Sequence, residues 1–321
     1  AYAYDGNTIA YYELSKDIDV YNDLIIPSDK VYDDIGKVLH SEGILFDDTP
    51  FDFVVDKESS ITLVSANNFT KSLHDFTKYY AVDDYRTELA GLHVRSGTLF
   101  ASDSIIMRLK HTNSFPKNSN MIIDINPIVE YLGVNVRKVK PVGKSLFATK
   151  KSKNDDLEMS VVTKKGEESL KLKSNKLTFI ITSMGKSSLS FDLIKKIKTT
   201  HIITLHRESL ISKITNLLSN QPKNSDSIKN MVRFRLEGKL SMSNYKDEET
   251  TETMNCKCET QPLFKDKIQF VLNAYKLLVL LKSVTDSEIQ LHYEDSNNGG
   301  ITRVVSSTNK DLLLIAQTLY K

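Results

Sequence analysis

An amphipathic helix followed by short antiparallel strands recurs along this chain, and the repetition restricts the fold to a row of small helix-on-sheet units. In one copy Phe69, Leu73, Phe76 and Tyr80 recur at i, i+4, i+7 and i+11, which predicts a helix over residues 69–80 with one apolar stripe. Lys71, His74 and Lys78 fall on its other side. Leu89, Leu92 and Val94 then lead into Ser96-Gly97, a two-residue hairpin signal, and the strand resumes at Leu99.

Residues 201–243 read the same way: a strand from His201, a helix from Glu208 to Ser219 with apolar Leu210, Ile211, Ile214, Leu217 and Leu218, and a strand from Val232 to Leu236. Residues 268–319 give a strand, a helix from Asn273 to Ser283, a strand from Glu288 to Tyr293, an Asn-Gly turn near Gly300 and two more strands. In residues 121–184, Asn126 reads as an N-cap, Pro127 as the first helical residue and Gly133 as the stop. A degraded copy spans residues 23–56. The fold class is therefore α+β, a series of about five repeated helix-on-antiparallel-sheet units.

The net charge of +2 conceals a segregation: residues 1–60 hold 14 Asp and Glu against 4 Lys and Arg, and the rest is correspondingly basic. The first segment repels a polyanion and the remainder attracts one. Arg137 and Lys138 open a strongly basic stretch that reaches Lys176 and reads equally well as a DNA-facing surface or as a solvated charged hairpin. The two cysteines, Cys256 and Cys258, have no further metal ligands at suitable spacing and read as ordinary thiols of a reducing compartment. Neither a phosphate-cradling glycine loop nor a nucleophile elbow is present, and the histidines and paired aspartates form no catalytic constellation. A non-enzyme without a cofactor is expected. No apolar run is long enough to span a bilayer, so a cytoplasmic protein is expected too.

The stretch Arg86-Thr-Glu-Leu89-Ala-Gly91-Leu92, then Gly97, then Ala101-Ser-Asp-Ser-Ile-Ile-Met107 resembles the middle domain of the bacterial DNA polymerase sliding clamp, the beta subunit family. The family pattern is Arg-x-x-Leu-x-Gly-Val, a glycine turn and Ala-Thr-Asp-Gly-His-Arg-Leu. Here Ser104, Ile105 and Ile106 replace its Gly-His-Arg. The segment Phe270-Val-Leu-Asn-Ala-Tyr-Lys-Leu-Leu and the hydrophobic C-terminal strand resemble the last clamp domain.

The resemblance implies a ring-forming DNA clamp, or processivity fold, that encircles duplex DNA and tethers a replicative DNA polymerase, loaded by a clamp loader and closed as a homo-oligomer. It implies a reduced or truncated clamp domain over residues 1–58, a second over 59–190, a linker at 191–197 and a third over 198–321. The implied DNA-facing residues are Lys71, Lys78, Arg137, Lys138, Lys213, Lys276 and Lys282. A partner-peptide cleft is implied at Met107, Phe191, Leu193, Ile197 and Leu319. Richness in Lys, Asn and Ile, with the drift from the bacterial pattern, suggests a phage or plasmid member acting in a bacterial cell. The alternative reading is a non-encircling DNA-binding or structural interaction protein built on a clamp scaffold.

Overall fold

The computed structural model describes residues 2–4, 8–12, 24–25, 44–45, 56–81, 89–116, 119–126, 128–129, 156–174, 177–188, 194, 201–219, 230–237, 239–245, 250–258, 268–293 and 300–317. In chain order these form β1 (Tyr2–Tyr4), β2 (Thr8–Tyr12), β3 (Leu24–Ile25), β4 (Ile44–Leu45), β5 (Lys57–Glu58), β6 (Thr62–Ser65), α1 (Ala66–Phe76), β7 (Leu92–Arg95) and β8 (Thr98–Ser102). Then come β9 (Ile106–His111), β10 (Asn120–Ile123), β11 (Asp156–Lys164), β12 (Glu167–Ser174), β13 (Leu177–Thr182), β14 (His201–His206), α2 (Arg207–Ser219), β15 (Met231–Glu237) and β16 (Lys239–Asn244). The series ends with β17 (Thr251–Met254), β18 (Lys257–Cys258), β19 (Ile268–Asn273), α3 (Ala274–Lys282), β20 (Glu288–Tyr293), β21 (Ile301–Val305) and β22 (Leu312–Ala316). The chain forms two compact units: Ala1–Thr77, Asp83–Leu99 and Thr112–Ser187 in the first, and Lys78–Val82, Phe100–His111 and Ser188–Lys321 in the second.

The first unit is built on an antiparallel sheet in the order β1-β2-β13-β12-β11, with β5 and β6 both pairing β11. Strand β12 alternates buried Leu170 and Leu172 with half-buried Lys171 and Lys173, the period of a sheet with one face on a core. Helix α1 packs beside β6 and buries Phe69, Leu73 and Phe76, while Lys71 and His74 are exposed, as the apolar stripe requires. Each such side chain contributes about 1.5–3 kcal/mol relative to leaving it in water. The helix is shorter than its apolar period. Thr77 closes it, donating its hydroxyl to the His74 carbonyl at 2.8 Å, so Tyr79 and Tyr80 are buried beyond its end.

Two-residue turns link the strands as their glycines foretell. Ser96 and Gly97 take φ of 47° and 75°, and Lys165 and Gly166 take 51° and 82°, the left-handed pairs of tight hairpins. Gly91 has a different reason: a Cβ there would meet the Ile123 carbonyl at 2.7 Å and the Met184 side chain at 2.4 Å. Near residue 126 the helix starts earlier than its sequence signals. Val129 donates to the Ile125 carbonyl, Asn126 is already helical, and Asp124 accepts from the Asn126 amide at 2.9 Å, so Asp124 performs the capping expected of Asn126. Gly133, and the helix expected in residues 23–56, lie outside the described residues.

In the second unit one sheet runs β8-β9-β22-β21-β20-β14-β18 and another runs β17-β16-β15-β19. Helices α2 and α3 pack on each other, α2 burying Leu210, Ile214 and Leu217 and α3 burying Leu277, Leu278, Leu280 and Leu281. Asn273 caps α3, its side chain accepting the Lys276 amide at 3.0 Å. Phe234 stacks on Phe270 at 5.0 Å, and Phe270 meets Tyr293 at 4.9 Å, forming an aromatic centre drawn from β15, β19 and β20. Asp286 secures the loop after β21: its carboxylate accepts from the hydroxyls of Ser306, Thr308 and Ser307 and from the Thr308 amide. These donors, the Ser306 hydroxyl first, hold it well below the usual carboxylate range.

Candidate nucleic-acid interface and partner cleft

The lysines singled out from sequence fall into two groups. Lys71 is exposed on α1, Lys78 is exposed just past the helix end, and Lys282 is exposed in the last turn of α3. Lys213 and Lys276 are instead held by carboxylates. Lys213 Nζ lies 2.9 Å from Glu252 Oε2 on β17, and the Asn216 amide adds a 3.4 Å contact to the same carboxylate. The Lys213 hydrogen bond holds the Glu252 carboxyl below its ordinary range. Lys276 Nζ pairs with Asp103 Oδ2, on a carboxylate that is 8% exposed. Arg137 and Lys138 lie outside the described residues.

Asp103 also shapes the turn between β8 and β9. Its Oδ1 accepts the amides of Ile105 and Ile106 at 2.9 and 2.8 Å, while the Ser102 hydroxyl donates to the Ile106 carbonyl. These bonds place Ser104 at φ 76°, in the left-handed region. Glycine, the residue of the clamp pattern, would sit there without a Cβ penalty. Left-handed backbone costs an ordinary residue about 1–2 kcal/mol, and glycine's extra unfolded-state freedom offsets about 0.5–1 kcal/mol of the relief. Ser104→Gly is therefore expected to stabilise the protein by about 0.5–1 kcal/mol. Urea unfolding checks this, and an equal or lower midpoint would mean that the serine side chain contributes more than its backbone strain costs.

The turn delivers Met107 to an apolar cluster. Phe100 and Leu109 are buried at its centre, and Met107, Ile194 and Leu312 pack partly buried against them. Strand β22 pairs β9 with Leu314 opposite Met107 and Leu312 opposite Leu109, so the C-terminal strand and the Met107 strand form one surface. Of the residues expected in the cleft, Met107 stands here, whereas Phe191, Leu193, Ile197 and Leu319 lie outside the described residues. Ile194, next to the expected Leu193, is the described residue of 191–197 that packs on the cluster. Phe100 and Leu312 were not expected, although Leu312 belongs to the apolar C-terminal run that pointed to Leu319.

Clusters of three or more His, Cys, Asp or Glu able to hold a metal are absent among the described residues. Cys256 and Cys258 form no disulfide, and burial pushes the Cys256 thiol up. No described helix is long and apolar enough to cross a membrane.

Helices packed against antiparallel sheets, with an apolar cluster where the C-terminal strand pairs β9, are the features of the fold that solved structures share. The chain is similar to the DNA polymerase III subunit beta from Pseudomonas aeruginosa, at 16% identity over 86% of this chain and 70% of that one, with a TM-score of 0.64. It is also similar to the DNA polymerase sliding clamp from Caulobacter crescentus (12% identity, 87% and 70% covered, TM-score 0.65) and to that from Bacillus subtilis (12%, 87% and 69%, TM-score 0.62). No family model and no curated protein matches the sequence. At such identities the likeness is one of fold, and the fold is that of the bacterial polymerase III beta clamps.

Proposed function

We propose that this chain is a DNA sliding clamp that closes as a homo-oligomeric ring around duplex DNA and tethers a replicative polymerase. The observation that carries the reading is the clamp fold across 86% of the chain. A ring that must hold DNA yet slide along it needs contacts to phosphate that are long-range and exchangeable, which lysines on flexible stems supply. Exposed Lys71, Lys78 and Lys282 have that character, with Arg137, Lys138, Lys213 and Lys276 as further members of the surface. The three domains are taken as residues 1–58, 59–190 and 198–321, with a linker at 191–197.

The cleft carries the partner role. Met107, Ile194 and Leu312 offer an adaptable apolar surface, and the unbranched thioether of Met107 suits a groove that receives peptide side chains from a polymerase or a clamp loader. Phe191, Leu193, Ile197 and Leu319 complete it in this reading. The protein acts in the cytoplasm as a tether and carries out no reaction of its own.

Retention by topology tests the proposal. Protein loaded on a nicked circular plasmid is expected to stay bound through gel filtration at moderate salt and to leave when a single restriction cut linearises the circle. Equal retention on both forms would favour a non-encircling DNA-binding protein, and no binding at low salt would favour an interaction protein on a clamp scaffold.

A further inference from the structure

Beside α2 lies a polar cleft of about 410 Å³, lined by His206, Ser209, Lys213, Lys239, Thr253 and Asn255 among others. Every polar side chain named here can donate a hydrogen bond, and two carry positive charge. His206 Nδ1 accepts the Ser209 amide at 3.3 Å, which in the neutral ring leaves the proton on Nε2 as a further donor. Such a donor set fits a phosphate oxygen. One carboxylate already engages its central lysine: Glu252, between Thr251 and Thr253 on β17, reaches Lys213 at 2.9 Å. Lys213 and Glu252 are 25% and 26% exposed, open enough for a polyanion to exchange with the carboxylate.

We propose that Glu252 is a built-in competitor for the DNA phosphate that seats at Lys213. This rests on the clamp reading above and adds to it the control of grip. A phosphate entering the cleft must displace Glu252 from Lys213 and then sit beside a repelled carboxylate, so this lysine contributes little net affinity. The weaker net contact makes phosphate exchange at Lys213 faster than at the exposed lysines, so this position adds little to the hold on the duplex.

The test uses the full chain with Glu252→Gln, which keeps the side chain's shape and an oxygen acceptor while removing its charge. Binding to a labelled linear duplex is followed by fluorescence anisotropy across a salt series, with Glu167→Gln, an exposed glutamate on β12, as the control for net charge. Glu252→Gln is expected to bind about three- to tenfold tighter at low salt and to steepen the log affinity against log salt slope by about 0.9, the release from one added phosphate contact. Adding Lys239→Ala should remove part of that gain. Equal tightening in Glu167→Gln, or none in Glu252→Gln, overturns the proposal while leaving topology-dependent retention of the wild type intact. Saturation of the cleft by inorganic phosphate without any response to duplex would overturn it in favour of a free-anion site. Loss of topology-dependent retention in the wild type would instead bring down the clamp reading itself.

Discussion

Asp311→Ala is expected to lower the unfolding free energy by about 3–5 kcal/mol, because it removes the carboxylate with which a buried guanidinium pairs. Arg108 and Asp311 are 5% and 10% exposed, and Arg108 reaches one carboxylate oxygen through Nε at 2.8 Å and Nη2 at 2.6 Å. The guanidinium lies 5.7 Å from the centre of the Tyr79 ring, whose hydroxyl donates to Ser283 Oγ at 3.0 Å, and Ser283 donates on to the Leu280 carbonyl at 2.7 Å. One ion pair therefore ties β9 to the residue before β22, and through Tyr79 to the end of α3. Asp311→Asn keeps an acceptor and should lose distinctly less. Urea denaturation would measure both: the midpoint should fall with the slope unchanged if only stability alters. A loss under about 1 kcal/mol for the alanine variant would place the pair among solvent-screened surface bridges. Since Met107 stands next to Arg108 on β9, the damaged protein should also present a poorer cleft.

The parts of the fold that are legible in the sequence are those where local physics decides structure. The stripe Phe69, Leu73 and Phe76 and the Ser96-Gly97 turn are set by helix period and by glycine's freedom at positive φ, and both are present. Asn273 was legible as a helix start because an amide side chain before an apolar run satisfies the orphan amides there. The end of α1 was not. Tyr80 continues the apolar period because it is buried, and burial persists after Thr77 has ended the helix, so the pattern reported a face and not a length. At residue 126 two polar residues competed for one cap, and Asp124 won through a turn that spacing alone did not distinguish. The carboxylate partners were the least legible part of the site. Glu252 lies on a strand far from Lys213 in sequence, and Asp103 reaches Lys276 from the β8–β9 turn, so both pairs exist only once distant strands are in register. Ile194, beside the expected Leu193, packs on the Met107 cluster, a contact that the apolar residues of 191–197 signal only as a group.

That division among the lysines decides how the proposed DNA surface must be tested. Reversing Lys213 would set a second carboxylate against Glu252, and reversing Lys276 would set one against Asp103, which holds a turn with two backbone amides. A loss of binding in either could then be a loss of fold. Lys71, Lys78 and Lys282 are exposed, and a glutamate at each changes charge with little effect on packing. The triple variant Lys71→Glu, Lys78→Glu, Lys282→Glu is expected to weaken duplex binding on the order of 100-fold at low salt, from three lost phosphate contacts and three added repulsions. The log affinity against log salt slope should become shallower by about 2.7, at about 0.9 for each contact. Thermal unfolding should drop by no more than about 2–8 °C, because the three side chains are exposed, while Lys78 and Lys282 stand beside the C-caps Thr77 and Ser283, where reversing charge against the helix dipole costs about 0.3–1 kcal/mol each. Anisotropy titrations at several salt concentrations measure the binding terms, and a melt on the same preparation measures the last. An unchanged slope with unchanged affinity would remove these three lysines from the DNA surface and leave its charge to the basic stretch that begins at Arg137.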